Sequence, residues 1–199
     1  MKYVNEVGLN DRIVYDSISP IIKEEELNAI KESKIKTAII LVWNFKDPWV
    51  KWLLVILKSL LNLAEESGLE KPLIDFSPFT IPHIGVVSRA VYLAKEEYGP
   101  PTGCGPGNAT TKWTKSKREW GSDVHKACEF SLHTIATALG ANFLFYAPIE
   151  STDWIFPSCA LADASIATAS KELGTRILLK EHPVYKLFPQ IARELEKTV

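Results

Sequence analysis

Hydrophobic and polar residues follow two alternating patterns along this chain. Short runs of apolar or β-branched residues recur, and each is followed by a longer segment in which apolar residues repeat with helical spacing. Such alternation is typical of βα units and predicts a parallel sheet covered by helices, an α/β fold. The predicted strands occupy residues 12–16, 37–43, 73–76, 102–107 and 142–146.

Helices are predicted for the segments between and after these strands. They cover residues 23–33, 49–67, 84–98, 160–173 and 184–198, together with a long stretch over 109–139 that breaks at Gly121. The second strand, TAIILVW, is apolar at almost every position, as expected of a strand buried on both faces. The chain is therefore predicted to contain five successive βα units.

The composition fits one packed domain over residues 1–199. The chain is 46% hydrophobic and 24% charged, which excludes a disordered protein. The net charge of -1 disfavours a nucleic-acid partner, which would need a basic surface. No run of about 18 apolar residues occurs, so the chain is predicted not to span a membrane.

The cysteines and the start of the chain indicate a compartment. The chain has three cysteines, Cys104, Cys128 and Cys159, and no two of them are spaced as a CxxC pair. This pattern favours a reducing environment and argues against structural zinc. The first residues, MKYVNE, have no apolar signal core. We therefore expect a cytoplasmic protein.

Polar residues mark the points where the predicted strands end. Asp16, Asn44, Asp75 and Asn108 each stand where a strand gives way to a loop. Any one of them alone is better explained as a turn former or helix cap. Because parallel α/β folds bind ligands at the carboxyl ends of their strands, four such residues in phase indicate a site.

The residue types at these strand ends limit the chemistry. Carboxylates and amides, with no nucleophile–base pair or metal cluster beside them, suit a heterocycle that has several N–H donors and carbonyl acceptors. An aminopyrimidinone fits this description. Its amino and ring N–H groups could donate to Asp75, and Asn108 could donate and accept at a reacting nitrogen.

Four segments carry a family resemblance over nearly the whole chain. GLEKPLID at 68–75, TGCGPGNA at 102–109, LGANFLFYAPI at 139–149 and WIFPSCA at 154–160 resemble the H subunits of tetrahydromethanopterin S-methyltransferase. That family is similar to the TIM barrels of dihydropteroate synthase type. Such barrels have eight βα units, so the resemblance implies a partial TIM barrel whose five units match the fourth to the eighth. Residues 1–7 would then end the third helix.

The resemblance also implies roles for the polar residues. Asp75 matches the pterin-binding aspartate, and Asn108 matches the catalytic asparagine that contacts pterin N5. Asp16 stands where relatives place another pterin contact, and Asn44 is given a lining role. The implied substrate is methyl-tetrahydromethanopterin or a related methyl-pterin, whose methyl group passes to a corrinoid in methanogenesis.

A partner protein is expected to supply that corrinoid. The segment from Asp123 to Cys128 only approaches the D-x-H-x-x-G motif by which some proteins ligate corrinoid cobalt, and a helix-face His125 explains it better. We expect no metal site in this chain. We expect the protein in the cytoplasm, either free or bound peripherally to a membrane complex.

Two alternatives remain open. A partial barrel leaves unpaired edge strands around Val14 and Leu144, so we expect a homodimer or a complex with a chain that supplies the missing units. The chain could then be a non-catalytic component that acts through assembly. A synthase of dihydropteroate type is less favoured, because those enzymes use a lysine where this chain has Asn108.

Overall fold

Five parallel strands form one open sheet. The computed structural model describes residues 2–175 and 177–197, and the strands follow the order β1-β2-β3-β4-β5 with β1 and β5 at the edges. This arrangement confirms the predicted α/β class and its parallel sheet. The strands are β1 (Val14–Ile18), β2 (Thr37–Val42), β3 (Lys71–Phe76), β4 (Thr102–Cys104) and β5 (Phe143–Leu144).

Helices precede the first strand, connect the strands and follow the last of them. The described helices are α1 (Lys2–Glu6), α2 (Glu24–Ser33), α3 (Val50–Glu66), α4 (His83–Tyr98), α5 (Gly107–Lys112), α6 (Thr114–Trp120), α7 (Ser122–Ala138), α8 (Thr152–Ser170), α9 (Pro183–Leu187) and α10 (Pro189–Lys197). Within the described residues, none of them is long and apolar enough to cross a membrane.

The hydrophobic core lies between one face of the sheet and the helices. Alternate residues of the central strands are fully buried there, including Ile40 and Val42 of β2 and Ile74 and Phe76 of β3. Successive residues of a strand point to opposite faces, so this alternation identifies the helix-covered face. On the helix side, the core is formed mainly by residues of α3, α4 and α7, including Leu53, Leu57, Leu60, Val87, Val91, Leu132 and Ala136.

The last two strands are shorter than the sequence predicts. β4 ends at Cys104 because Pro106 has no backbone N–H to donate and α5 begins at Gly107. β5 spans only Phe143–Leu144. Gly103 is required where the two strands meet, since a Cβ there would lie 2.1 Å from the carbonyl oxygen of Phe143.

The helices of the second half also differ from the sequence-based boundaries. The predicted break at Gly121 is confirmed, and a second break occurs at Trp113. α8 begins at Thr152 instead of residue 160, because it packs along α7 and continues through Pro157. The predicted helix over 184–198 is divided in two before Pro189, and residue 198 lies outside the described residues.

Candidate functional site

Asp75 is a buried carboxylate on the face of the sheet opposite the helices. Its neighbours in β3, Ile74 and Phe76, point into the helix-covered core, so its side chain points the other way. Only 8% of Asp75 is exposed. Its Oδ1 atom is buried and has no hydrogen-bond partner among the described residues. Such an atom is costly to bury unless a ligand supplies the missing donor.

The surroundings of Asp75 favour its protonated form. Burial, together with a smaller effect of the negative charge on Asp16, raises the pKa of this carboxyl from 3.8 to about 7. The group is therefore close to half ionised at neutral pH. It can accept hydrogen bonds from ligand N–H groups once it is ionised, and a ligand that donates them would stabilise the charged form.

Asp16 lies inside β1 and not at its end as predicted, and the strand register brings it near Asp75. Asp16 of β1 pairs with Ile39 of β2, which in turn pairs with Leu73 of β3, two residues before Asp75. Tyr15 packs against the core on the helix side, so Asp16 shares the face of Asp75. Asp16 is exposed, and its charge acts on Asp75. The structure thus brings together two of the predicted site residues.

Asn44 shapes the loop after β2. Its Oδ1 accepts hydrogen bonds from the backbone N–H groups of Lys46 and Asp47, both at 3.0 Å. This is the turn-forming role that any single strand-end residue could have. The amide nitrogen is the group of this half-buried side chain that could contact a ligand, and its lining role stays a prediction.

Asn108 lies in the first turn of α5, just beyond β4. Its backbone N–H donates to the carbonyl oxygen of Gly105 at 3.1 Å, and its side chain is exposed. The Nδ2 atom would lie 3.2 Å from a Cβ at Gly105, so the glycine leaves room for this amide. β4 pairs with β3 through Gly103 and Asp75. Asn108 therefore follows the strand beside Asp75, and contact of both with one ligand stays a prediction.

A row of aromatic rings stands at the same edge of the sheet and is not predicted from the sequence. The ring centroids of Trp43 and Phe45 are 4.6 Å apart, and those of Phe45 and Phe79 are 4.5 Å apart. Phe79 stacks on His83 at 5.1 Å. Aromatic residues directly after β2 and β3 are the sequence signal that could have indicated this row.

The segment with a partial corrinoid motif is a structural part of α7. His125 is buried, and its Nδ1 lies 2.6 Å from the Oγ of Ser116. One turn later, the Glu129 carboxylate accepts a hydrogen bond from Trp154 Nε1 at 2.9 Å. These contacts join α6, α7 and α8. Among the described residues, no group of three or more His, Cys, Asp or Glu side chains could hold a metal ion.

Comparison with known proteins gives one consistent result. The model of the family described as "Tetrahydromethanopterin S-methyltransferase MtrH subunit" matches residues 1–178. The H subunit of tetrahydromethanopterin S-methyltransferase from Methanothermobacter thermautotrophicus is 35% identical over 197 residues, covering 93% of this chain and 63% of that protein. The corresponding protein of Methanopyrus kandleri is 32% identical over 205 residues, covering 92% of this chain and 63% of that protein.

A relative with a different name also matches. The H subunit of the putative methyltransferase mtx from Methanosarcina mazei is 33% identical over 193 residues, covering 92% of this chain and 62% of that protein. The chain thus spans a little under two thirds of the length of the curated relatives it matches.

Proposed function

Since the chain belongs to the tetrahydromethanopterin S-methyltransferase MtrH subunit family, we propose that it is the pterin-binding part of a methyltransferase. The substrate is methyl-tetrahydromethanopterin or a related methyl-pterin, and the reaction transfers its N5-methyl group. The observation that carries the proposal is the buried Oδ1 of Asp75, which lacks a hydrogen-bond partner among the described residues. A pterin presents amino and ring N–H donors that would satisfy it.

The proposed binding mode follows from the positions of the polar residues. Asp75, once ionised, accepts from the pterin ring and fixes its orientation. Asp16 lies close enough to contact a further donor, and the Nδ2 of Asn44 lines the same edge. Asn108 contacts N5, where its amide can donate as that nitrogen becomes a leaving group. Catalysis then consists of positioning the methyl group and of stabilising charge that develops at N5.

We propose that the methyl acceptor is a corrinoid carried by a partner protein. One segment of this chain is similar to a corrinoid-ligating motif, but its His125 is buried against Ser116 inside a helical layer. A histidine in that position is not available to a corrinoid, which supports a partner as the carrier. The acceptor would approach the carboxyl ends of the strands, where Asp75 and Asn108 leave the methyl group facing outward.

The five strands are proposed to be the fourth to the eighth of a TIM barrel. An open, all-parallel sheet with both edges unpaired in the described structure is compatible with such a part. The remaining strands would come from a second copy or from a companion chain. A non-catalytic role in assembly is the second candidate, and the open edges are the observation that favours it.

Methyl transfer to cob(I)alamin tests the proposed function directly. Asn108→Ala should slow transfer far more than it weakens methyl-pterin binding, because the N5 contact strengthens as charge develops. Asp75→Ala should mainly abolish binding. Asn62→Ala on the exposed side of α3 is the matched control. Assays use the chain alone and with its companion, and no effect of either site variant would favour the assembly role.

A further inference from the structure

A groove of about 480 Å³ runs along α4 beside the end of α7. The α4 residues that line it recur every three or four positions and so share one face of the helix: Gly85, Ser88, Arg89, Tyr92, Lys95 and Glu96. Ala138, Leu139 and Gly140 form the opposite wall. The core face of α4 and the sheet lie between this groove and Asp75, so the groove is separate from the candidate site.

The groove contains a buried hydroxyl that has no hydrogen-bond partner among the described residues. Ser88 is only 1% exposed, and its Oγ is the unpartnered atom. Ser59 of α3, by comparison, donates to the carbonyl oxygen of Val55 one turn earlier, at 3.3 Å. A buried hydroxyl without a partner costs stability. An acceptor atom of a ligand in the groove would remove that cost.

Arg89 brings a guanidinium group to the groove, one residue further along α4. Its exposed side chain forms none of the ion pairs found among the described residues. The Arg89 Cζ lies 5.5 Å from the ring centroid of Tyr92, which is one turn later. The ring restricts where the guanidinium can lie but takes up none of its N–H groups in hydrogen bonds within the ring plane. These N–H groups form a planar fork that suits a carboxylate.

Lys95 supplies a second cation further along the groove. Its Nζ donates to the carbonyl oxygen of Gly140 at 3.0 Å, which joins α4 to the end of α7. An ammonium group has three donors, so two remain for a ligand. Lys95 follows Ser88 by two turns, or about 10 Å along the helix axis. Glu96 is the one carboxylate among the described lining residues, so the groove is positive overall.

We propose that this groove binds a small aliphatic dicarboxylate. One carboxylate accepts hydrogen bonds from the Ser88 hydroxyl and the Arg89 guanidinium, and the other accepts from the Lys95 ammonium. The aliphatic chain of the ligand lies against the Tyr92 ring. A volume of about 480 Å³ is within the range of roughly 300–1,000 Å³ that is typical of ligand pockets. The groove lies across the sheet from Asp75, so this site does not depend on the proposed function.

Adipate is the probe that tests the site, and hexanoate, which has the same chain length and one carboxylate, is its counterpart. Binding is measured by calorimetry and NMR on the full chain at neutral pH. We expect adipate to bind about tenfold more tightly than hexanoate, because only adipate reaches both cations, and its affinity to fall as salt rises. Equal affinity for the two, or no binding of adipate at millimolar concentration, would overturn the proposal. Inorganic phosphate that binds as tightly as adipate would show a simple anion site and would also overturn it.

Three variants assign the contacts. Arg89→Gln should weaken adipate binding about tenfold through loss of the guanidinium. Lys95→Gln keeps an amide that can donate to Gly140, so it should remove the preference for adipate over hexanoate without separating α4 from α7. Ser88→Ala should weaken adipate binding about threefold and should not lower the melting temperature, because the lost hydroxyl has no partner among the described residues. Adipate binding that none of the three variants changes would overturn the proposal.

Arg12→Gln is the matched control, since Arg12 is also exposed and does not line the groove. It should leave adipate binding unchanged. A loss as large as that in Arg89→Gln would show diffuse attraction to basic residues and would overturn the site. Glu96→Gln should raise the affinity for adipate about twofold, because it removes a like charge beside the ligand.

NMR and a second ligand locate the binding. Adipate should shift the signals of Tyr92 and Leu139, and 6-methylpterin should not compete with it. Competition between the two ligands would place adipate at Asp75 and overturn the proposal. Binding of adipate with no binding of 6-methylpterin would refute the pterin assignment and leave the groove site intact. Leu139 shifts that follow protein concentration in the absence of adipate would show a second copy in the groove, which also overturns the proposal.

Discussion

Replacing Asp75 by asparagine is expected to stabilise the ligand-free protein at neutral and higher pH. The folded state holds this carboxyl with a pKa of about 7, against an ordinary value of 3.8. The folded protein therefore binds a proton at Asp75 more tightly than the unfolded chain does. The free energy of unfolding consequently falls as pH rises from about 4 to about 7 and then levels off.

The size of this effect follows from the two pKa values. Each tenfold change in proton affinity corresponds to about 1.4 kcal/mol, so the ionised Asp75 costs up to about 4 kcal/mol of stability at pH 8. Asparagine has a similar shape and does not titrate. Asp75→Asn should therefore exceed the wild type in stability by up to about 4 kcal/mol at pH 8, with the difference shrinking to about 1 kcal/mol near pH 4.5.

Urea unfolding of both proteins at several pH values between 4.5 and 8 measures this difference. Asp11→Asn is the control, because Asp11 is exposed and lies outside the site. Asp16→Asn should give a smaller gain, since it removes only the neighbouring charge. An Asp75→Asn protein that keeps the wild-type pH dependence, or is less stable at pH 8, would refute the idea of a destabilised carboxylate awaiting a donor.

Three further outcomes are expected. Gly103→Ala should destabilise the protein or displace β5, because the new Cβ would lie 2.1 Å from the Phe143 carbonyl oxygen, and thermal unfolding measures the loss. Glu129→Leu should cost about 1–3 kcal/mol in urea unfolding, since Trp154 Nε1 loses its acceptor; an unchanged midpoint would contradict the α7–α8 connection. Sedimentation at micromolar concentration should show a dimer or a complex, and a compact 22.3 kDa monomer would contradict the partial-barrel proposal.

Local pattern in the sequence accounts for the elements of the sheet and for the position of Asp75, whereas Asp16, predicted at the end of a strand, lies in the middle of β1. The run 37–43 predicts β2 because continuous apolar residues suit a strand buried on both faces, and the structure confirms the strand. Asp75 is found near the end of β3, as predicted, although it and the following Phe76 are both buried. Gly121 interrupts the helices as predicted, since its φ of 88° suits glycine.

Only the tertiary structure decides what these residues can do. The pKa of Asp75 depends on burial by the sheet and on Asp16 of another strand, which no local pattern records. α8 begins before Pro157 because packing on α7 outweighs the lost backbone hydrogen bond. The cavity between residues 79–82 and α5 brings together residues that are more than 25 positions apart in the sequence. Hydrophobic periodicity is a property of neighbouring residues, whereas burial, charge coupling and cavity shape arise from contacts between distant ones.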